Sequence, residues 1–285
     1  MIKRLWVFVG SVWLLFFLLL AQNPVQAQFM QDWEFDADAG GPISAETINE
    51  YWDISGISYI DNYNFSGYDP GDTFLFKEWG FFTSNSHDGG NLWDFIYSGY
   101  ELTAIFYAEG SGVLGGGINL TTGWLEIYID DSPDYENETS LSTPGIYYGA
   151  NDGTMIARFQ LTYGYGNIDT EGVPNGNITT HFQAEFIAPG YLFDSSGRDL
   201  STYPVISWIL GFSTTNASWV QNPNDEFVHE VQQWSGLTVG NTPPEDLVIS
   251  GNGQWRLQVV PEPATIMLLG AGLLGVAVYA RKKVR

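Results

Sequence analysis

Alternation of apolar and polar side chains with period two recurs through the middle of the sequence and constrains the fold more than any other feature. Leu125, Ile127 and Ile129 share one face against Glu126, Tyr128 and Asp130. Met155, Ala157, Phe159, Leu161 and Tyr163 do the same against Ile156, Arg158, Gln160 and Thr162. Phe182, Ala184 and Phe186 oppose His181, Gln183 and Glu185, and Trp255, Leu257 and Val259 oppose Gln254, Arg256 and Gln258. Period two places one set of side chains in a core and the other in water, the pattern of half-buried antiparallel strands. Leu102 to Tyr107 and Val205 to Phe212 are more continuously apolar and fit central strands.

Between these runs lie Asp88-Gly89-Gly90, Gly115-Gly116-Gly117, Asn151-Asp152-Gly153 and Asn175-Gly176-Asn177, residue types that tolerate the positive φ of tight turns. Asn151-Asp152-Gly153, just ahead of Met155, reads as a hairpin. Two segments carry helical signals. Ser44 is placed to cap a short helix running to about Asp53. Phe227, Val231 and Trp234 have helical spacing, while Phe227, His229 and Val231 fit a strand equally well. The expected fold is all-β: a single antiparallel β-sandwich of jelly-roll type, with Trp79, Trp93, Trp124 and Trp208 filling its core.

Both ends of the sequence differ in character from this body. Lys3 and Arg4 precede an apolar run from Leu5 to Ala21, and Val25-Gln26-Ala27 puts small residues where signal peptidase requires them, predicting cleavage after Ala27. An uncleaved membrane anchor is the alternative. At the other end, Val260-Pro261-Glu262-Pro263-Ala264 leads into an apolar stretch from Thr265 to Ala280 and then Arg281-Lys282-Lys283-Val284-Arg285. As a helix the stretch would be about 24 Å long, short for a hydrocarbon core of ~30 Å. Its terminal cations favour the cytoplasmic side, leaving the body outside. The expected organisation is a signal peptide over 1–27, an acidic ectodomain over 28–259 and a sorting segment with a transmembrane helix over 260–285.

The succession of Pro261-Glu262-Pro263, a short Gly-rich apolar helix and an Arg-rich terminus resembles the PEP-CTERM sorting signal of Gram-negative bacteria. The resemblance implies recognition and removal of the tail by exosortase, a membrane-embedded sorting protease, as the body is transferred outward. A second resemblance lies in the body, where Ala108-Glu109-Gly110-Ser111-Gly112, Tyr128-Ile129-Asp130-Asp131 and Phe182 to Tyr191 follow the order seen in flocculation-associated PEP-CTERM proteins. That group is tied to exopolysaccharide-dependent aggregation and implies no catalytic residue.

Charge narrows the partners. Between Gln28 and Val260 the cations are Lys77, Arg158, Arg198 and Arg256, against 32 acids, a balance of −28. Such a surface repels nucleic acid, whose phosphates need Lys and Arg opposite them, and attracts divalent cations. Zero cysteines exclude disulfides, Cys-ligated metal and thiol catalysis. The densest acidic run is Asp130-Asp131-Ser132-Pro133-Asp134-Tyr135-Glu136-Asn137-Glu138. Asp130, Asp131, Asp134, Glu136 and Glu138 are the candidate Ca²⁺ ligands, because Ca²⁺ collects six to eight oxygens from irregular loops of this kind. A solvated acidic loop is the alternative reading. A second set, Asp32, Glu34, Asp36 and Asp38, alternates near the start of the body and is expected to be a mobile tail.

No catalytic constellation emerges. His87, His181 and His229 lack metal-ligand spacing. Gly110 to Gly115 formally matches a dinucleotide-binding loop, yet a strand follows where a helix must open. The five Asn-x-Ser/Thr triplets, from Asn64 to Asn216, are expected to be chance occurrences. These features point to an exported, non-enzymatic surface or matrix protein associated with exopolysaccharide, biofilm or flocculation. A calcium-assisted carbohydrate-binding module and a glycan-active hydrolase are the alternatives, the latter requiring a carboxylate pair that sequence alone does not single out.

Overall fold

Eight long strands run up and down in chain order, each hydrogen-bonded antiparallel to the next, and the last returns to pair with the first. The computed structural model describes residues 28–40, 45–135, 147–169, 175–204 and 206–260, and the predicted signal peptide and transmembrane helix lie outside them. The strands are β1 (Gln28–Phe29), β2 (Trp33–Phe35), β3 (Glu46–Ile48), β4 (Trp52–Tyr63), β5 (Thr73–His87), β6 (Asn91–Leu92) and β7 (Glu101–Val113). They continue as β8 (Gly117–Asp130), β9 (Thr154–Asp169), β10 (Asn175–Ile187), β11 (Leu192–Phe193), β12 (Ile209–Trp219) and β13 (Asp246–Val259). A helix, α1 (Asp225–Ser235), separates the last two. Among the described residues no helix is long and apolar enough to cross a membrane.

The closed ladder is β4-β5-β7-β8-β9-β10-β12-β13, sealed by β13 on β4 with Trp255 opposite Trp52, Gly253 opposite Ile54 and Leu247 opposite Ile60. This overturns the expected jelly-roll sandwich. Alternation correctly marks antiparallel strands, but a sandwich leaves edges, whereas pairing the first long strand with the last removes them. The pairing depends on contacts between residues nearly two hundred positions apart, which no local pattern encodes.

Register then sorts the side chains. Phe74, Phe76, Glu78, Phe82 and Ser84 of β5 point inward, and Phe106 lies opposite Leu125, which lies opposite Phe159. Glycines let the wall close over these rings. A Cβ on Gly110 would meet the Asn119 carbonyl at 2.2 Å and the Phe76 ring at 2.6 Å. The sequence Gly110 to Gly115 is therefore strand and turn, in keeping with its rejection as a phosphate loop.

A separate sheet, β11-β2-β3, supplies Trp33 and Phe35 to a cluster with Trp52, Trp93 and Phe95. Trp33, Phe35, Trp93 and Phe95 are all at most 1% exposed. Burying each such ring contributes roughly 2–3 kcal/mol. The segment carrying Asp32, Glu34, Asp36 and Asp38 is thus held by its alternate aromatics and is no mobile tail. The helix expected from Ser44 to Asp53 does not form either, because Glu46–Ile48 pairs with β2 and β4 begins at Trp52.

On the outer wall α1 covers Phe81 with Phe227 and Val231, all fully buried. Asn224 caps the helix by accepting from the Phe227 amide at 2.7 Å, and Gly236 ends it at φ 71°. Capping and the 3.6-residue stripe decide between the helix and strand readings. The β7–β8 turn is tight, with the Gly116 amide on the Val113 carbonyl at 2.9 Å and Gly115 at φ 68°. Asn151-Asp152-Gly153 is not a hairpin, since residues 131–153 all lie between β8 and β9. Trp79 and Trp93 are buried and Trp124 is partly buried.

Candidate functional site

Glu101 opens β7 and Asp130 closes β8, and antiparallel pairing makes them register partners on the outer side of the barrel rim. Asp134 joins them from the loop that follows, and carboxylate oxygens of all three lie within 4.8 Å of one another. Glu101 Oε1 accepts from the Asp134 amide at 3.0 Å and from the Tyr135 amide at 3.3 Å. Asp130 Oδ1 accepts from the Ser132 amide at 3.0 Å, the short turn that folds the loop back toward the rim. Asp134 Oδ1 is buried with no hydrogen-bond partner.

Three carboxylates this close repel, and burial compounds the cost. Glu101 is pushed up to about 7, chiefly by burial and further by the charges of Asp134 and Asp130, against the two amides that favour its ionised form. Asp134 and Asp152 are also raised, by burial first and then by neighbouring acids that include Asp130. Such a cluster lowers its energy either by taking protons or by taking a cation. The donors are hard oxygens that fit Ca²⁺, with backbone carbonyls or water needed to complete its shell.

The rim therefore unites Asp130 and Asp134 from the predicted ligand set and adds Glu101, which lies far upstream in sequence. Asp131 is exposed and accepts from the Ser132 hydroxyl at 3.3 Å, outside the cluster. Glu136 and Glu138 lie outside the described residues. The signal that would have identified Glu101 is an acid at the mouth of a strand whose partner ends in Asp130, and it becomes legible only with the register.

A second feature lies along the outer wall. Tyr163 and Tyr165 of β9 are 50% and 52% exposed, with rings parallel to within 9° and centroids 6.4 Å apart. His181 of β10 stacks on Tyr163 at 4.0 Å and meets Phe212 of β12 edge-on at 4.6 Å. Cross-strand pairing dictates this row, because His181 is the register partner of both Tyr163 and Phe212. Burial lowers the His181 pKa, so the ring is held neutral against its aromatic neighbours.

The remaining histidines serve structure. His87 Nδ1 lies 2.8 Å from Asp88 and its ring packs on Trp93 at 4.5 Å. His229 is on the exposed side of α1. The three therefore sit on β5, β10 and α1 rather than in one site.

No curated protein matches the chain, and neither does any solved structure. The PEP-CTERM protein-sorting motif matches residues 259–283, which contain Pro261, Glu262 and Pro263 as well as Arg281, Lys282 and Lys283. That motif marks an exported protein that is held transiently at the membrane and processed by exosortase, and the chain is accordingly a PEP-CTERM protein.

Proposed function

We propose that this protein is a non-enzymatic component of the cell surface or extracellular matrix of a Gram-negative bacterium, and that it associates with exopolysaccharide in biofilm or flocculation. Signal peptidase removes residues 1–27 and exosortase removes the tail, leaving the acidic barrel outside. The observation that carries the sugar-binding part is the pair Tyr163 and Tyr165. Two exposed parallel rings on a rigid strand offer flat apolar faces at little entropic cost, and the C–H faces of pyranose rings pack on such surfaces. The two rings themselves are uncharged, which suits a neutral glycan.

A second reading, the calcium-assisted carbohydrate module, draws support from the rim carboxylates. Asp130 pairs beside the start of β9, and Tyr163 is nine residues farther along that strand, about 30 Å away. A cation at the rim would therefore stabilise the barrel without bridging to a sugar on the tyrosines. Co-sedimentation with exopolysaccharide purified from the native host separates these readings. The first requires that Tyr163→Ala with Tyr165→Ala abolish binding and that EDTA leave it unchanged. Loss of binding in EDTA supports the second, and no binding by the unaltered protein rejects both.

A further inference from the structure

Antiparallel register lays a row of asparagines across the outer wall. Asn167 of β9 lies opposite Asn177 of β10, Asn177 opposite Asn216 of β12, and Asn216 opposite Asn252 of β13, and all of them are exposed. Two residues along each strand, the same pairing aligns Tyr165, Thr179, Thr214 and Gln254. A further two residues bring Tyr163, His181 and Phe212 into line, and Phe212 meets Phe29 of β1 edge-on at 4.9 Å. The short side chains of Thr179 and Thr214 therefore floor a trough that crosses the strands, with rings along one side and amides along the other. Two of the Asn-x-Ser/Thr triplets follow from this face: Asn177-Ile178-Thr179 and Asn216-Ala217-Ser218 turn amide and hydroxyl outward while Ile178 and Ala217 enter the core.

Asparagine is depleted in strands, and a row of them in register on an exposed wall gains no core packing to offset that. The charge of the face is as unusual. These three rows hold no carboxylate, in a body with 32 acids. Arg256, the register partner of Phe212, donates to Gln254 Oε1 at 2.8 Å and lies 3.5 Å from Glu50, so its charge is already balanced. Amides and hydroxyls both donate and accept, as sugar hydroxyls do, and the rings offer apolar surface to sugar C–H groups. Three steps of ~4.8 Å between strands make the trough about 14 Å long, more than a single sugar ring spans. Resting on the reading that Tyr163 and Tyr165 contact exopolysaccharide, we infer that the ligand is a neutral, extended, β-linked polysaccharide chain lying across the strands in this trough, with its hydroxyls on the asparagine row. A chain coiled by α-linkages turns its hydroxyls away from a straight row, and a polyuronate carries charge that this acidic body repels.

Isothermal titration calorimetry of the full-length chain with cellohexaose, cellobiose, maltohexaose and a mannuronate hexamer tests the trough, alongside co-sedimentation with the host exopolysaccharide. The expected result is binding of cellohexaose about tenfold or more tighter than of cellobiose, with maltohexaose and the mannuronate hexamer weaker than cellohexaose. Each hydrogen bond to a sugar adds little alone, so Asn177→Ala with Asn216→Ala should weaken cellohexaose about tenfold. Both positions are exposed, and the melting temperature of that variant should not change. Equal affinity for cellohexaose and cellobiose, tighter binding of maltohexaose or the mannuronate hexamer, no binding of cellohexaose, or full affinity in the asparagine variant overturns the inference. Exopolysaccharide binding that is lost in Tyr163→Ala with Tyr165→Ala but kept in the asparagine variant overturns the inference and spares the reading beneath it. Binding that is kept in the tyrosine variant, or absent from the unaltered protein, overturns that reading as well.

Discussion

Trp52 and Trp255 face each other across the seam where the last strand of the barrel meets the first, and both bury indole N–H groups that lack an acceptor. One relationship thus joins the closure of the fold to the chemistry of its interior.

The wall beside the seam is sensitive to bulk where β13 lies against β12. A Cβ on Gly253 would lie 1.9 Å from the Thr214 carbonyl oxygen and 2.7 Å from Thr215 Cα, and this backbone of the neighbouring β12 leaves it no room. Gly253→Val should cost about 2–3 kcal/mol in urea unfolding. Gly117→Ala, whose nearest neighbour is the Gly166 carbonyl at an ordinary 3.4 Å, should cost well under half of that. Equal effects at the two positions would mean that β12 and β13 are not held as tightly as a closed wall requires.

Asp88 fastens the start of β4 to the end of β5. Its carboxylate accepts from the amides of Asn49, Glu50 and Tyr51 at 2.7, 2.8 and 3.2 Å and pairs with His87. Burial opposes its ionisation, but His87 and these amides outweigh burial and hold its pKa below the usual carboxylate value. A depressed pKa gives stability that is present above the unfolded value and lost as pH falls through the folded one. Asp88→Ala should cost about 2–3 kcal/mol near neutral pH, and the loss should shrink under acid. A cost that stays constant down to about pH 2.5 would contradict this.

Glu78 works in the opposite direction. Burial raises it from 4.5 to about 7, so its contribution favours the folded state below the unfolded value and is withdrawn as pH rises through about 7. Unfolding at about pH 5 and about pH 8.5 should show the protein weaker at the higher pH, with Glu78→Gln recovering roughly 3 kcal/mol of that difference. Glu101, also raised, keeps its own share of the slope in this variant. An unchanged slope in Glu78→Gln would show that the buried acid titrates normally.

At the rim, Ca²⁺ at about 10 mM should stabilise the protein by about 2 kcal/mol if its affinity is that of extracellular modules. Glu101→Gln should remove the response while leaving the metal-free melting temperature equal or higher, because it relieves repulsion with Asp130 and Asp134. A full calcium response in that variant would place the cation elsewhere.

Strand positions were legible because half-burial imprints itself on every second residue, as at Leu125, Ile127 and Ile129, but bulges in the β9–β10 pairing shift the face, and Phe186 and Tyr163, expected in the core with Ala184 and Leu161, are 39% and 50% exposed. Barrel closure was not, because Trp52 and Trp255 look locally like any other core aromatics. The N-terminal acids misled for a related reason: Asp32 to Asp38 reads as a solvated tail until Trp33 and Phe35 are seen to dock on Trp52 and Trp93. At the rim the sequence identified Asp130 and Asp134 by local density but could not supply Glu101, which register alone brings beside them. The Tyr163–Tyr165 pair is visible as i, i+2 spacing, yet its exposure depends on which side of the wall faces out.

Intact-mass spectrometry of the protein recovered from the surface and medium of its native host tests the account most directly. The account predicts a chain that starts at Gln28 and lacks the segment after the Pro261-Glu262-Pro263 motif, with cells deprived of exosortase retaining the longer form in their membranes. Recovery of the chain from the cytosol with both termini intact would contradict it.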